Sequence, residues 1–303
     1  MNKGYIKTVF FVLSLVACAS NNALASEPAA KVTNSDKTTD RKKTALDPKH
    51  EEYKHMLCKD PEETEMAAKQ ANEIATLLLK LSETSLDGYS VDIERENIIL
   101  YSKKFEKANI RRYDTTIQCL DKCDGVVNKL WDFNGPQKFV DKIIIGNPVR
   151  VYNPNLILFE KFNTNGENLC SKKRYAIGAK IKVSDDITVV VFPSRLLNYL
   201  NDSDNEVNMK EMLKNAKSIE TDIDADEAFM KLGATISGFI IKKGNLDGVH
   251  LTWINAAYDD GHAIGCSNDK RYEDAINKII IWLVLHILSS KQQCTPSKNI
   301  STL

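Results

Sequence analysis

The chain has 303 residues, 43% of them hydrophobic and 27% charged, with 41 basic residues against 41 acidic ones. That formal neutrality gives no electrostatic reason to expect nucleic acid or an anionic membrane surface as the main partner. The length suits one sizeable domain, or two small ones, behind a leader and a linker.

Lys3 and Lys7 precede the apolar run Val9–Ala19, and Ala23-Leu24-Ala25 is followed by Ser26. A basic start, an apolar core of about 11 residues and an A-x-A ending predict a cleaved secretory signal peptide over 1–25. A signal anchor would need a longer core. Cleavage removes Cys18 and leaves Cys58, Cys119, Cys123, Cys170, Cys266 and Cys294. An even count in an oxidising compartment predicts one to three disulfides, with the pairing open. Cys119 and Cys123 lack a complementary Cys or His pair at zinc spacing, so no metal is expected. Residues 26–50 contain no aromatic side chain and read as a flexible linker.

A helix follows. Asp60 is placed to cap it, Pro61 suits the first position, and Ala67, Ala71, Ile74, Leu78 and Leu81 recur at helical spacing up to Asp87-Gly88. The period then changes to two. Tyr89, Val91 and Ile93 alternate with Ser90, Asp92 and Glu94, and further strands are predicted over Asn97–Phe105 and Ile110–Gln118. Cys123–Asp132 reads as a short helix with Val126, Val127, Leu130 and Trp131 on its apolar side. Val149–Tyr152 and Leu156–Phe162 form a strand pair. One hairpin joins Tyr175–Val183 to Ile187–Phe192 through Ser184-Asp185-Asp186; a second joins Thr235–Lys243 to Val249–Ile254. Short helices or ordered loop are predicted at Asn208–Ala216 and Asp224–Lys231. The last element is DAINKIIIWLVLHILS, Asp274–Ser289. It is too short to span a bilayer and apolar on nearly all sides, so it must be buried somewhere.

Antiparallel strands bracketed by helices predict an α+β fold, not an alternating α/β one. The element order resembles the START (StAR-related lipid transfer) helix-grip domain. More closely, the chain is similar to the fam-a family of malaria-parasite proteins, which carry a START-like domain behind a signal peptide. The likeness is carried by CKDPEET at Cys58–Thr64, VVNKLWD at Val126–Asp132 and VRVYNPNLILFEKF at Val149–Phe162. YAIGAKIKVSDDITVVVF at Tyr175–Phe192, TDIDADEAF at Thr221–Phe229, SGFIIKKG at Ser237–Gly244 and the terminal helix complete it. The resemblance implies a curved antiparallel sheet gripping a long C-terminal helix, with an N-terminal helix. The domain would cover 51–292, ahead of a tail at 293–303. It also implies a cavity between sheet and terminal helix for one phospholipid or other lipid, with transient membrane contact. The chain departs from the general START pattern after Ile254, where NAAYDDGHAIGCSNDK replaces the usual acidic-glycine-proline stretch at the cavity mouth.

A phospholipid cavity needs an apolar wall and a few polar groups for the head. A guanidinium can hold a phosphate and aromatic faces can hold a choline. Arg150, one pleat from Tyr152, is the first cationic candidate and Arg174, beside Tyr175, the second; each also reads as an exposed strand-edge arginine. Trp131, Tyr152, Tyr175 and Trp253 are candidates for an aromatic wall or ordinary core. Ile280, Leu283 and Val284 of the terminal helix would line the lipid. No nucleophile elbow, phosphate loop or zinc-protease motif is present. Asp259-Asp260-Gly261-His262 reads as a turn as readily as a catalytic cluster. The expectation is therefore a non-enzymatic, secreted lipid carrier with no cofactor. The alternative is an antigen or host-interaction module on the same fold. Family resemblance adds the parasitophorous vacuole or the host erythrocyte as destinations; the Arg-x-Leu-x-acid export pentamer is not present.

Overall fold

The computed structural model describes residues 53–95, 98–118, 123–131, 146–161, 174–197, 208–244 and 248–258. The predicted leader, linker and terminal helix, with Ile280, Leu283 and Val284, lie outside the described residues. So does the Asp259–His262 stretch.

Helix α1 spans Pro61–Glu83. The Asp60 carboxylate accepts from the amides of Glu62 and Glu63 at 2.9 and 3.2 Å, satisfying two donors the first helical turn cannot use internally. Pro61 loses nothing at the first position, where its missing N–H has no helical partner. The apolar stripe Ala67, Ala71, Ile74, Leu77, Leu78 and Leu81 is wholly buried.

Ten strands form one sheet in the order β1-β2-β3-β10-β9-β7-β6-β5-β4, with β8 pairing β6 off this path. They are β1 Ser90–Arg95, β2 Ile98–Lys104, β3 Ala108–Gln118, β4 Asn147–Asn153 and β5 Leu156–Lys161. β6 Arg174–Lys182, β7 Ile187–Val191, β8 Leu196–Leu197, β9 Ile236–Lys243 and β10 Gly248–Tyr258 follow. Every strand pairing is antiparallel. Short helices α2 (Cys123–Leu130), α3 (Met209–Lys214) and α4 (Ala225–Leu232) complete the α+β architecture, with Asn208 and Asp224 capping α3 and α4.

Two differences from the sequence reading bear on the site. β10 continues four residues past Ile254, because Asn255–Tyr258 pairs in unbroken register with Ala108–Arg111 of β3. The first four residues of what reads as irregular mouth are thus the end of a central strand. In β1 a bulge at Asp92 shifts the register between Val91 and Ile93. The alternation of Tyr89, Val91 and Ile93 breaks there: Val91 is 53% exposed, while Ile93 packs against the core.

Both faces of the sheet are apolar, which is why the inner strands read as near-continuous Val/Ile runs. α1 lies on one face, over Leu158, Ile177, Val189, Val191, Ile240 and Ile254. It fits closely because residue 238 has no side chain: a Cβ there would stand 2.4 Å from the Val190 carbonyl oxygen and 2.8 Å from Leu78 Cδ1. Among the described residues no helix is long and apolar enough to cross a membrane.

Candidate functional site

On the α1 face, Arg150 donates from Nε and Nη2 to the two carboxylate oxygens of Glu63, at 3.1 and 2.8 Å. The Tyr152 hydroxyl donates to the same carboxylate at 3.0 Å. The Glu63 hydrogen bond raises the Arg150 pKa. Burial, reinforced by the Glu63 charge, raises the Tyr152 phenol. The carboxylate is 3% exposed, so the triad is a buried clamp between α1 and the edge strand β4. Tyr175 also lies in the core under α1. Arg150, the first cationic candidate, and Tyr152 and Tyr175, two of the predicted aromatic wall, therefore share the α1 face.

The second face is different. Its core is aromatic: Tyr113, Trp131, Phe159, Phe192, Phe239 and Trp253 cluster there with Val190, Ile241, Val249 and Leu251. Trp131 and Trp253, two of the predicted aromatic wall, are thus brought together. α2 contributes Val126, Val127 and Leu130, and Trp131 Nε1 donates to the Pro154 carbonyl at 3.0 Å, tying the helix end to the β4–β5 turn. Gly178 makes room for an aromatic ring, since a Cβ there would meet Phe159 Cε2 at 2.8 Å.

Directly paired residues on antiparallel strands point the same way, so register turns this face into rows. One row runs Leu100, Tyr113, Trp253, Phe239, Val190, Lys180 across six strands. It is apolar until its last member. The neighbouring row runs Ser90, Ser102, Arg111, Asn255, Ser237 across five strands, and every residue in it is polar. Ser102, Asn255 and Ser237 are buried. The Ser102 hydroxyl donates to Asp92 Oδ1 at 2.7 Å, and the other oxygen of Asp92 lies 3.9 Å from Arg111 Nε. The Asp92–Arg111 pair is self-compensating, so this row presents hydroxyl, amide and paired ionic groups with no net charge.

A polar row beside an aromatic wall is costly unless each group finds a partner. Trp253 Nε1 and Asn109 Oδ1 are buried with no hydrogen-bond partner among the described residues. Burial raises the Tyr113 phenol, reinforced by the Asp114 charge, and its buried hydroxyl has no hydrogen-bond partner among the described residues. Lys180 is half-buried, and burial lowers its pKa, with the Asp124 charge acting in the opposite direction. Arg174 alternates with Tyr175 along β6 and so takes the second-face parity.

The sequence reading missed the polar row and Lys180. Ser90 and Asp92 read as the solvent side of a surface strand, and nothing local shows that Ser102, Arg111, Asn255 and Ser237 stand side by side. Among the described residues no group of three or more His, Cys, Asp or Glu side chains is placed to hold a metal ion.

No family model and no curated protein matches the chain. Solved structures do. The chain is similar to human StAR-related lipid transfer protein 5, with a TM-score of 0.43 and 9% identity over 76% of this chain and 98% of that one. It is similar to a STAR-related lipid transfer protein from Xanthomonas axonopodis, with a TM-score of 0.33 and 14% identity over 57% of this chain and 82% of that one. Human STARD10 aligns with a TM-score of 0.30 and 11% identity over 72% of this chain and 86% of that one.

Proposed function

We propose that this protein holds one lipid molecule against the second face of the sheet and carries it between membranes without covalent chemistry. The observation that carries the reading is the adjacency of the two rows. An aromatic and aliphatic row suits the body of an amphiphile, and the polar row beside it suits an oxygen-bearing group. An ordinary core has no use for five consecutive polar residues on an otherwise apolar face, nor for a buried indole N–H without an acceptor among the described residues. The family resemblance of the sequence supports the same reading and adds phospholipid as the ligand. In this reading the apolar stretch Asp274–Ser289 closes the site and presents Ile280, Leu283 and Val284 to the lipid. The leader over 1–25 makes the carrier a secreted one, bound for the parasitophorous vacuole or the host erythrocyte.

The test is mass spectrometry of lipid co-purifying with the folded protein, together with transfer of a fluorescent phospholipid between neutral vesicles. One bound lipid per chain and catalytic transfer are the expected results. A lipid-free protein that transfers nothing would overturn the carrier reading and favour an interaction module with a filled core.

A further inference from the structure

Lys180 is the one charged residue in the row Leu100, Tyr113, Trp253, Phe239, Val190, Lys180. Its five row-mates are at most 5% exposed, and Val190 and Phe239 are fully buried. Strand β6 therefore delivers an ammonium to the end of the most apolar line on the ligand face. Gly178, one pleat away, bears no side chain and yields its space to Phe159. Several other basic residues are neutralised at contact distance, Lys103 by Asp226, Lys182 by Asp185, Lys210 by Asp60 and Glu62, and Arg150 by Glu63, while the buried Arg195 is satisfied by Gln70 and the Lys217 carbonyl. Lys180 makes no salt bridge with a described residue. The acid acting on it is Asp124 of α2, through space, without an ion pair. A half-buried ammonium with no counter-ion in contact is unfavourable unless something anionic comes to it.

We propose that Lys180 is the residue that holds the phosphate of the bound lipid, making the carrier selective for phospholipids over uncharged lipids. The assignment rests on the lipid-carrier reading. It accounts for the division of labour on the second face. The polar row is electrically balanced by Asp92 and Arg111 and suits neutral oxygen groups. Lys180 supplies a half-buried positive charge that makes no salt bridge with a described residue. Ser237 lies two strands from β6, roughly 10 Å along the sheet, so the head and the ester linkage of one molecule span both features. A lysine suits this place, because a compact ammonium on a flexible stem follows a phosphate without fixed fork geometry.

The test compares the full chain with its Lys180→Met and Lys180→Arg variants, which keep the apolar stem and remove or retain the charge. Each is loaded from neutral vesicles containing equal parts of a fluorescent phosphatidylcholine and a fluorescent diacylglycerol, and the bound lipid is counted by native mass spectrometry. Lys180→Met should lose phospholipid binding by roughly tenfold or more, the scale of one charge-assisted hydrogen bond. It should keep diacylglycerol binding and its thermal midpoint, while Lys180→Arg keeps both lipids. Unchanged phospholipid preference in Lys180→Met, with an active parent, overturns the assignment and leaves the carrier reading standing. A parent that binds neither lipid overturns both. Inorganic phosphate alone should not stabilise the parent; stabilisation that vanishes in Lys180→Met would reassign the site to a soluble phosphate and overturn the lipid assignment.

Discussion

Arg150 and Glu63 meet in a two-pronged ion pair across 87 positions of sequence, with both carboxylate oxygens engaged. Glu63 is buried, whereas the arginine side chain is 36% exposed. Removing the arginine strands a buried carboxylate, but water reaches the site and screens part of the loss. Arg150→Met should therefore destabilise by about 2 kcal/mol in urea unfolding. The double variant Glu63→Gln/Arg150→Met should cost less than the two single changes added together. Strict additivity would show that the pair contributes no coupling and that α1 is held by its apolar stripe alone.

Stability should fall on the alkaline side. Burial raises the phenols of Tyr113 and Tyr152 above the ordinary tyrosine value. The unfolded chain thus releases these protons first. Their contribution is fully present below about pH 10 and declines as pH rises through the folded-state values, by up to about 1.4 kcal/mol per pH unit for each. Urea midpoints between about pH 8 and about pH 11 would show the decline. Tyr152→Phe should flatten it, and a profile unchanged by that substitution would remove Tyr152 as a source.

Gly238→Ala should destabilise by roughly 3 kcal/mol, because the added methyl meets a backbone oxygen and the Leu78 side chain, neither free to withdraw. Thermal unfolding decides the matter. A variant as stable as the parent would mean that α1 rides higher on the sheet than its contact with β9 requires.

The polar row allows a prediction of opposite sign. Asn255→Leu and Ser237→Val replace buried polar groups with apolar ones of similar size, so the ligand-free protein should be as stable or more so. Lipid retention should fall roughly tenfold at the same time. Calorimetry of delipidated protein, paired with lipid counting, reads both numbers. Loss of stability with lipid binding intact would make the row structural.

Much of the fold was legible because its signals are local. The Asp60 cap, the Pro61 start, the stripe from Ala67 to Leu81 and the alternation around Tyr175–Val183 each sit within one segment. The α+β class followed from their order. What could not be read was facing. Arg150 and Tyr152 look like a head-group pair in the strand, yet the partner that decides their role, Glu63, is carried by a helix far earlier in the chain. Ser102, Arg111, Asn255 and Ser237 come from four strands whose adjacency is set by pairing between distant segments. The bulge at Asp92 hides the facing of β1 even locally, because it breaks the period on which such an inference depends.

The central ladder of the sheet joins two eleven-residue strands, β3 and β10, with β4 to β9 and three helices lying between them in sequence. A chain made from its N-terminus cannot form that ladder until its last strand has emerged. Until then the β1–β3 meander and the β4–β9 sheet each keep an open edge, and the loop to be closed is long. Completion of the sheet must therefore wait for residues 248–258. The same delay exposes two sticky edges to other nascent chains. Until residues 248–258 are made, β3 and β9 each lack the strand that covers them in the finished sheet.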